Sequence, residues 1–337
     1  MDAFLAGYFR AGNIGDETYV SMMRDCAARG HWTFGYTSEA GAPGARADDP
    51  LRPVAYNDYR ALVRAISQSR CVIFPGGSVL QNVTSQRSLI YYLGLIEVAR
   101  ALKKRVYFLS QGLGPLKGSL SPLWVKAVLR KTQGFVARDE TTRRQADRWG
   151  VPGVRLGADW SFRMAAIPAG REVSEDCWLV VPKRGDGEKT RRWRDWLYAI
   201  AAPRIGVFPF HPEDAGFCRS LAADRPEALM LDGFPPPAQA KGFIARARGV
   251  ISERLHPLYF AYDCGVPFVG VSEDPKILAF CLETGFPCVG PRATRDEIMT
   301  ATGSLQSPAP ARFDRINLWR ERAKLNGAVL EEALRAG

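Results

Sequence analysis

Gly249-Val250-Ile251-Ser252-Glu253-Arg254-Leu255-His256-Pro257 compresses a strand, a turn and a helix start into one short stretch. Gly249, Val250 and Ile251 read as a buried strand. Pro257 suits a first helical turn, and residues 258–262 continue it. The same transition recurs along the chain. Strands are expected at 3–8, 32–36, 71–75, 105–110, 134–138 and 154–158, then at 177–182, 205–210, 228–231, 249–252, 267–271 and 287–289, with helical patterns between most of them. This βαβα rhythm implies an α/β protein with parallel sheets covered by helices on both faces. With 337 residues, two cores are expected rather than one.

The low-period stretch 164–170, ending in Pro168 and Gly170, is the expected linker. Residues 1–165 and 171–311 are then two doubly wound, Rossmann-like domains facing a cleft. The long helical pattern of 312–337 is expected to return to the first domain.

Forty-six basic against 35 acidic side chains give a formal charge of +11, spread along the chain and densest at 183–194. Such an excess suits an anionic polymer, an anionic membrane surface or phosphorylated substrates. Zinc-finger spacing, RNP-like segments and basic heptads are absent, so nucleic acid is not the expected partner. Seven scattered cysteines without a C-x-x-C pair suit reduced thiols in the cytoplasm. The apolar run 3–9 has Asp2 before it and Arg10 after it, which is not a signal peptide, and 89–102 is too short and too charged to span a membrane. Any membrane contact is expected to be peripheral.

The chemistry-bearing residues gather at strand ends. Arg254 presents a rigid fork of N–H groups to a carboxylate or phosphate, and His256 can move a proton near neutrality. Their alternative is a structural ion pair and a core histidine. After the first strand come Asn13, Gly15 and Asp16, where Asp16 is either a base or a helix cap. Gly76, Gly77, Ser78, Thr84 and Ser85 follow the 71–75 strand, with Ser85 the expected cap of a helix from Gln86; Gln111 ends the next strand. Arg138 is either an anion ligand or an ion-pair partner of Asp139, itself an expected cap. Arg184 ends a strand of the second domain, His211 is a second candidate acid or base, and Lys276 follows an expected Asp274 cap and Pro275. No cluster has metal-ligand spacing, so no metal is expected.

Taken in order, these segments resemble the polysaccharide pyruvyl transferase family, particularly its bacterial cell-wall (CsaB-type) members. The resemblance runs through Gly12-Asn13-Ile14-Gly15-Asp16-Glu17, Gly76-Gly77-Ser78, Thr84-Ser85, Tyr91-Tyr92-Leu93-Gly94, Gln111-Gly112-Leu113-Gly114-Pro115, Arg138-Asp139, Arg254-Leu255-His256 and Asp274-Pro275-Lys276. The family departs from this chain in having a third glycine at Pro75, an aspartate at Asn82 and a tyrosine at Glu273.

The resemblance implies a GT-B-like fold and transfer of the pyruvyl unit of phosphoenolpyruvate to a sugar diol, leaving a cyclic ketal and free phosphate. It implies no cofactor and an acceptor that is a lipid-linked cell-wall oligosaccharide or polysaccharide. A basic surface would suit that acceptor's diphosphate and the anionic inner membrane. On this reading Arg254, Arg184, Arg138 and Lys276 bind phosphoenolpyruvate, and His256 and Asp16 are catalytic. The acceptor meets Asn13, Gly15, Gly76, Gly77, Ser78, Thr84, Ser85, Gln111 and His211. Two other classes share the same features: a nucleotide-sugar glycosyltransferase, and a non-catalytic binder of anionic polymer.

Overall fold

The computed structural model describes every residue except 10–11, 40–47, 84, 169–172, 201–203, 226, 306–309 and 336–337. It divides into two compact units, the first comprising residues 1–11, 16–163 and 318–337 and the second 12–15 and 164–317.

The first unit holds β1 (Ala3–Leu5), β2 (Phe34–Ser38), β3 (Leu51–Ala55), β4 (Cys71–Phe74), β5 (Arg105–Gln111), β6 (Gly134–Ala137) and β7 (Val154–Leu156) in one parallel sheet ordered β3-β2-β1-β4-β5-β6-β7. Its helices are α1 (Ile14–Gly30), α2 (Tyr59–Ser67), α3 (Gln86–Ala101), α4 (Leu120–Leu129) and α5 (Glu140–Arg148). Strands covered on both faces read as continuous apolar runs, and β4 and β6 are buried at every position. Phe74 stacks on Phe108 at the sheet centre, with ring centroids 4.5 Å apart. Ser85 and Asp139 cap α3 and α5 as the sequence predicts, accepting from the amides of Ser88 and Thr142 at 3.2 and 2.7 Å.

Two differences from the sequence expectation have physical causes. Strand β3 was not expected. It holds Pro53 and pairs only with β2, and an edge strand tolerates a proline that an interior one cannot. The first strand ends at Leu5 rather than residue 8, because at Gly7 the ladder gives way to a side chain. The Thr37 hydroxyl accepts from the Gly7 amide at 3.0 Å and donates to the Gly7 carbonyl at 2.6 Å.

The second unit repeats the plan with β8 (Cys177–Val181), β9 (Arg204–Val207), β10 (Leu229–Met230), β11 (Gly249–Ser252), β12 (Phe268–Val271) and β13 (Cys288–Val289), parallel and ordered β10-β9-β8-β11-β12-β13. Around it lie α6 (Gly187–Ala199), α7 (Pro212–Ala223), α8 (Pro237–Arg246), α9 (Leu255–Asp263), α10 (Pro275–Thr284) and α11 (Arg295–Gly303). A buried ion pair between Lys241 of α8 and Asp263 of α9 joins two of these helices.

The chain then enters α12 (Ile316–Arg335), which belongs to the first unit from Leu318 onward. There its last carbonyls, normally unsatisfied, accept from Arg105 (to Ala333, 3.2 Å) and Arg70 (to Leu334, 3.4 Å).

In both sheets the strand order reverses once, between β1 and β4 and between β8 and β11. Ligands of open α/β sheets bind outside the strand carboxyl ends at such a reversal. The loops after β1, β4, β8 and β11 are therefore the places to look for chemistry.

Candidate functional site

In the second unit the reversal point brings Arg254, Arg184 and Lys183 together with acids that hold them. Arg254 follows β11 and is the residue before α9. Its turn is closed by Ser252, whose hydroxyl accepts from the Arg254 amide at 2.9 Å and donates to its carbonyl at 2.8 Å. The guanidinium lies across Asp214 of α7. Nε donates to one carboxylate oxygen at 3.0 Å and Nη2 to the other at 2.8 Å. Asp214 is fully buried and Arg254 is 22% exposed. The pair fixes the fork and leaves Nη1 and one Nη2 proton for an outside oxyanion.

Asp214 also accepts from the Arg184 amide at 2.9 Å, so one carboxylate ties the ends of β8 and β11 together. The Arg184 side chain is 68% exposed and only 3.3 Å from the 53% exposed Glu213. Such an exposed pair holds weakly and leaves the guanidinium able to turn to a ligand.

Lys183 is the residue that the sequence reading missed. In the sequence it is one cation among many in the dense basic run 183–194. In the structure Glu253 accepts from the Lys183 amide at 2.6 Å while pairing with Lys189 at 2.8 Å. The Lys183 ammonium itself makes no hydrogen bond or ion pair among the described residues. Burial, and then the positive charge of Arg254, push its pKa below the usual lysine value. A half-buried cation left without a partner beside a pinned arginine is suited to an anion.

The two histidines differ. His256 lies in the first turn of α9, half-buried and edge-on to Tyr259, with centroids 5.8 Å apart. Its ring also presses on Gly15: a Cβ there would come within 2.3 Å of Nδ1, so any side chain at that position would force the imidazole to shift. Asn13 shapes the approach, accepting from the Gly15 amide at 3.1 Å, and the Ile14 amide donates to the Phe210 carbonyl at 3.1 Å. His211 instead caps α7, its Nδ1 accepting from the Glu213 amide at 3.2 Å. Burial and then the Arg254 charge lower its pKa. Lys276 stands at the start of α10, where Asp274 accepts from its amide at 3.0 Å and Pro275 opens the helix, as the sequence predicts.

In the first unit the loop after β4 is met by an arginine from the end of β6, and the arrangement differs. Arg138 is 3% exposed. Its Nη2 donates to the Ser78 hydroxyl at 3.1 Å, and Asp139 and Asp159 lie 3.5 and 4.0 Å away. Tyr19 donates to Asp159 at 2.8 Å, and burial, followed by that carboxylate's charge, raises the phenol's pKa well above its usual value. Of the two roles open to Arg138, this enclosure favours the ion-pair one over the phosphoenolpyruvate ligand.

Gly76 packs against Tyr19, and Gly112 against Ser78 and Arg138; a Cβ at these positions would meet them at 2.2 and 2.4 Å. Buried Gln111 donates to the Gly77 carbonyl at 2.9 Å. Asp16, in the first turn of α1, lies near Gly77. Thr84 falls outside the described residues. Asn82 donates to the Lys117 carbonyl at 2.9 Å and accepts from its amide at 2.6 Å, a two-way bond that the family's aspartate could not make.

Among the described residues no group of three or more His, Cys, Asp and Glu side chains is placed to hold a metal, and no helix is long and apolar enough to cross a membrane. A search of curated proteins finds no sequence match. Solved structures match in fold. UDP-GlcNAc 2-epimerase from Neisseria meningitidis, bound to UDP-GlcNAc, is 10% identical, with a TM-score of 0.64 over 100% of each chain. The epimerase from Methanocaldococcus jannaschii is 11% identical with a TM-score of 0.64, over 98% of this chain and 99% of that one. Os79 from O. sativa in complex with UDP is 12% identical with a TM-score of 0.59, over 97% and 94%. The two doubly wound sheets are thus those of the GT-B fold. The polysaccharide pyruvyl transferase family matches residues 38–275, well over half the chain and inclusive of Lys183, Arg184, Asp214, Arg254 and His256, and the chain belongs to that family.

Proposed function

We propose that the protein transfers the pyruvyl group of phosphoenolpyruvate to a sugar diol of a lipid-linked cell-wall polysaccharide precursor, and that the second unit's reversal point binds the donor. The observation that carries this reading is the arginine fork of Arg254, pinned by buried Asp214 next to Lys183, whose ammonium makes no ion pair among the described residues. Phosphoenolpyruvate has a carboxylate and a phosphate, and this set offers a fork for one and point charges for the other. Arg254 takes an oxyanion through its remaining N–H groups, Lys183 and Arg184 neutralise the second, and Lys276 is a further cation at the next strand end.

The reaction needs a proton delivered to C3 of the enol, attack of one sugar hydroxyl at C2, loss of phosphate and closure by the neighbouring hydroxyl. Each hydroxyl gives up its proton, so one proton enters C3 and one leaves with phosphate. His256 is the better proton carrier of the two histidines. His211 already uses its Nδ1 lone pair on the Glu213 amide, and its lowered pKa keeps it neutral, so it can donate from Nε2 but has no lone pair left for a base. A positioned general acid or base contributes roughly 10²–10⁴-fold, the loss expected for His256→Ala.

The test is incubation with phosphoenolpyruvate and an undecaprenyl-type lipid-linked ManNAc-GlcNAc acceptor, following phosphate release and acceptor mass in wild type and a folded His256→Ala variant. Gain of one pyruvyl ketal by wild type supports the reading. Turnover of a UDP-sugar without consumption of phosphoenolpyruvate would replace it with a glycosyltransferase.

A further inference from the structure

Outside the donor site, the helical layer α2-α3-α4 of the first unit carries two properties together. Sixteen large hydrophobic side chains are exposed among the described residues, and eight of them belong to this layer and the loops that enter it. They sit toward the N-terminal ends of the helices: Tyr59 and Val63 on α2, Ile90 on α3, and Leu120, Leu123 and Trp124 on α4, with Tyr56 and Val83 just before α2 and α3. The α3 and α4 ends are tied together, since Asn82 and Gln86 reach the Ser121 hydroxyl at 3.0 and 3.5 Å. Between α2 and α3, Tyr59 and Val63 face Ile90 and Gly94 across an apolar groove of about 550 Å³ with Arg87 on its rim.

The second property is charge. Residues 56–70, 86–104 and 117–131 hold eleven basic and two acidic side chains, so nearly all of the chain's +11 excess lies in this layer and the turns that close it. This corrects the expectation that the excess is spread along the chain. Of these cations Arg60, Arg64, Arg87, Lys117, Arg130 and Lys131 are exposed and make no ion pair among the described residues.

We infer that this layer seats on an anionic lipid bilayer. Its Trp and Tyr rings and leucines enter the headgroup boundary, the groove receives acyl chain, and the surrounding Arg and Lys side chains meet lipid phosphates. Amphipathic rings at interface depth ringed by basic residues are the physical pattern of interfacial binding. Two other occupants fit worse. A second copy of the same face would bring like charge against like, and a soluble polyanion offers nothing apolar to cover the leucines or fill the groove.

Sedimentation with phosphatidylcholine vesicles, with and without phosphatidylglycerol, tests this on the full chain. Wild type is expected to pellet with the anionic vesicles alone, losing about fivefold in partition for each of Arg87→Gln and Lys117→Gln. Leu120→Ser, Leu123→Ser and Trp124→Ser combined should abolish pelleting. Leu282→Ser, at an 85% exposed leucine of α10 in the second unit, should leave it unchanged. Equal losses with Leu282→Ser, or no binding to either vesicle by folded wild type, would overturn the inference. So would a dimer in light scattering that the α4 triple variant dissolves. Phosphoenolpyruvate binding enters none of these readings, so this surface and the proposed transfer can fail independently.

Discussion

The two strand-order reversals share a topology and differ in what they do with an arginine. In the first unit Arg138 is enclosed, its partners Ser78, Asp139 and Asp159 all protein groups, and Tyr19 and Ser110 extend the network onto Asp159. In the second, Arg254 gives one edge to buried Asp214 and is 22% exposed, while the Lys183 ammonium makes no ion pair among the described residues. A charge enclosed among protein groups specifies structure; one that still faces solvent can be completed by a ligand. The fold offers both sites, and the exposure of the arginine separates them, 3% at Arg138 against 22% at Arg254.

That contrast can be broken most sharply at Arg254. Arg254→Lys keeps the charge and loses the two-edged fork, so kcat/KM for phosphoenolpyruvate should fall at least about a hundredfold while the thermal midpoint moves little. If the midpoint falls and the kinetics of the remaining folded protein hold, Arg254 is structural like its counterpart. The mirror experiment is Arg138→Met. Removing one member of a buried charge network costs about 3 kcal/mol, to be read as a lower denaturant midpoint, with the Michaelis constant for phosphoenolpyruvate unchanged in the folded protein.

A smaller effect sharpens the role of Lys183. Lys183→Met should weaken phosphoenolpyruvate binding about tenfold, the worth of a hydrogen bond to a charged group. The same variant should be slightly more stable than wild type, because the folded state holds this ammonium at a penalty. The sign follows from the lowered pKa. Between the folded and unfolded values the unfolded chain binds more protons, so stability rises with pH across that window, and the penalty is fully present below it. Wild-type donor affinity should therefore fall at a pH below the ordinary lysine range, a step that Lys183→Met erases.

The smallest expected change is at His211. Its folded pKa also lies below the usual value, so stability is lost as pH falls through the unfolded value and flattens below the folded one. His211→Ala should remove that slope and cost about 1 kcal/mol as a lost helix cap, and His211→Asn should restore the cap without the slope. Chemical denaturation at a series of pH values reads both.

Most of this architecture was legible in the sequence because its local signals agree. Ser85, Asp139, Asp274 and Pro275 announce helix starts, and buried strands such as 71–74 and 249–252 are short apolar runs between glycine and polar turns. The edge strand β3 was hidden by Pro53, which reads as a breaker when the neighbouring strand is unknown.

At the site, Arg254 and His256 stood out through residue type and position. Asp214 did not, because an acid in the first turn of a helix already has a sufficient local reason to be there. Lys183 is hidden within a basic run, because the Glu253 carboxylate that accepts from its amide lies seventy residues away in sequence. Arg138 shows the converse, since the adjacent Asp139 hinted at its ion pair while the deeper partner Asp159 gave no sequence signal.

Calorimetric titration of phosphoenolpyruvate into wild type, Lys183→Met and Arg138→Met tests the central claim most directly. Saturable binding by wild type and by folded Arg138→Met, weakened about tenfold in Lys183→Met, is the predicted result. Binding lost in Arg138→Met and untouched in Lys183→Met would contradict it, placing the anion site at the enclosed arginine rather than the open one.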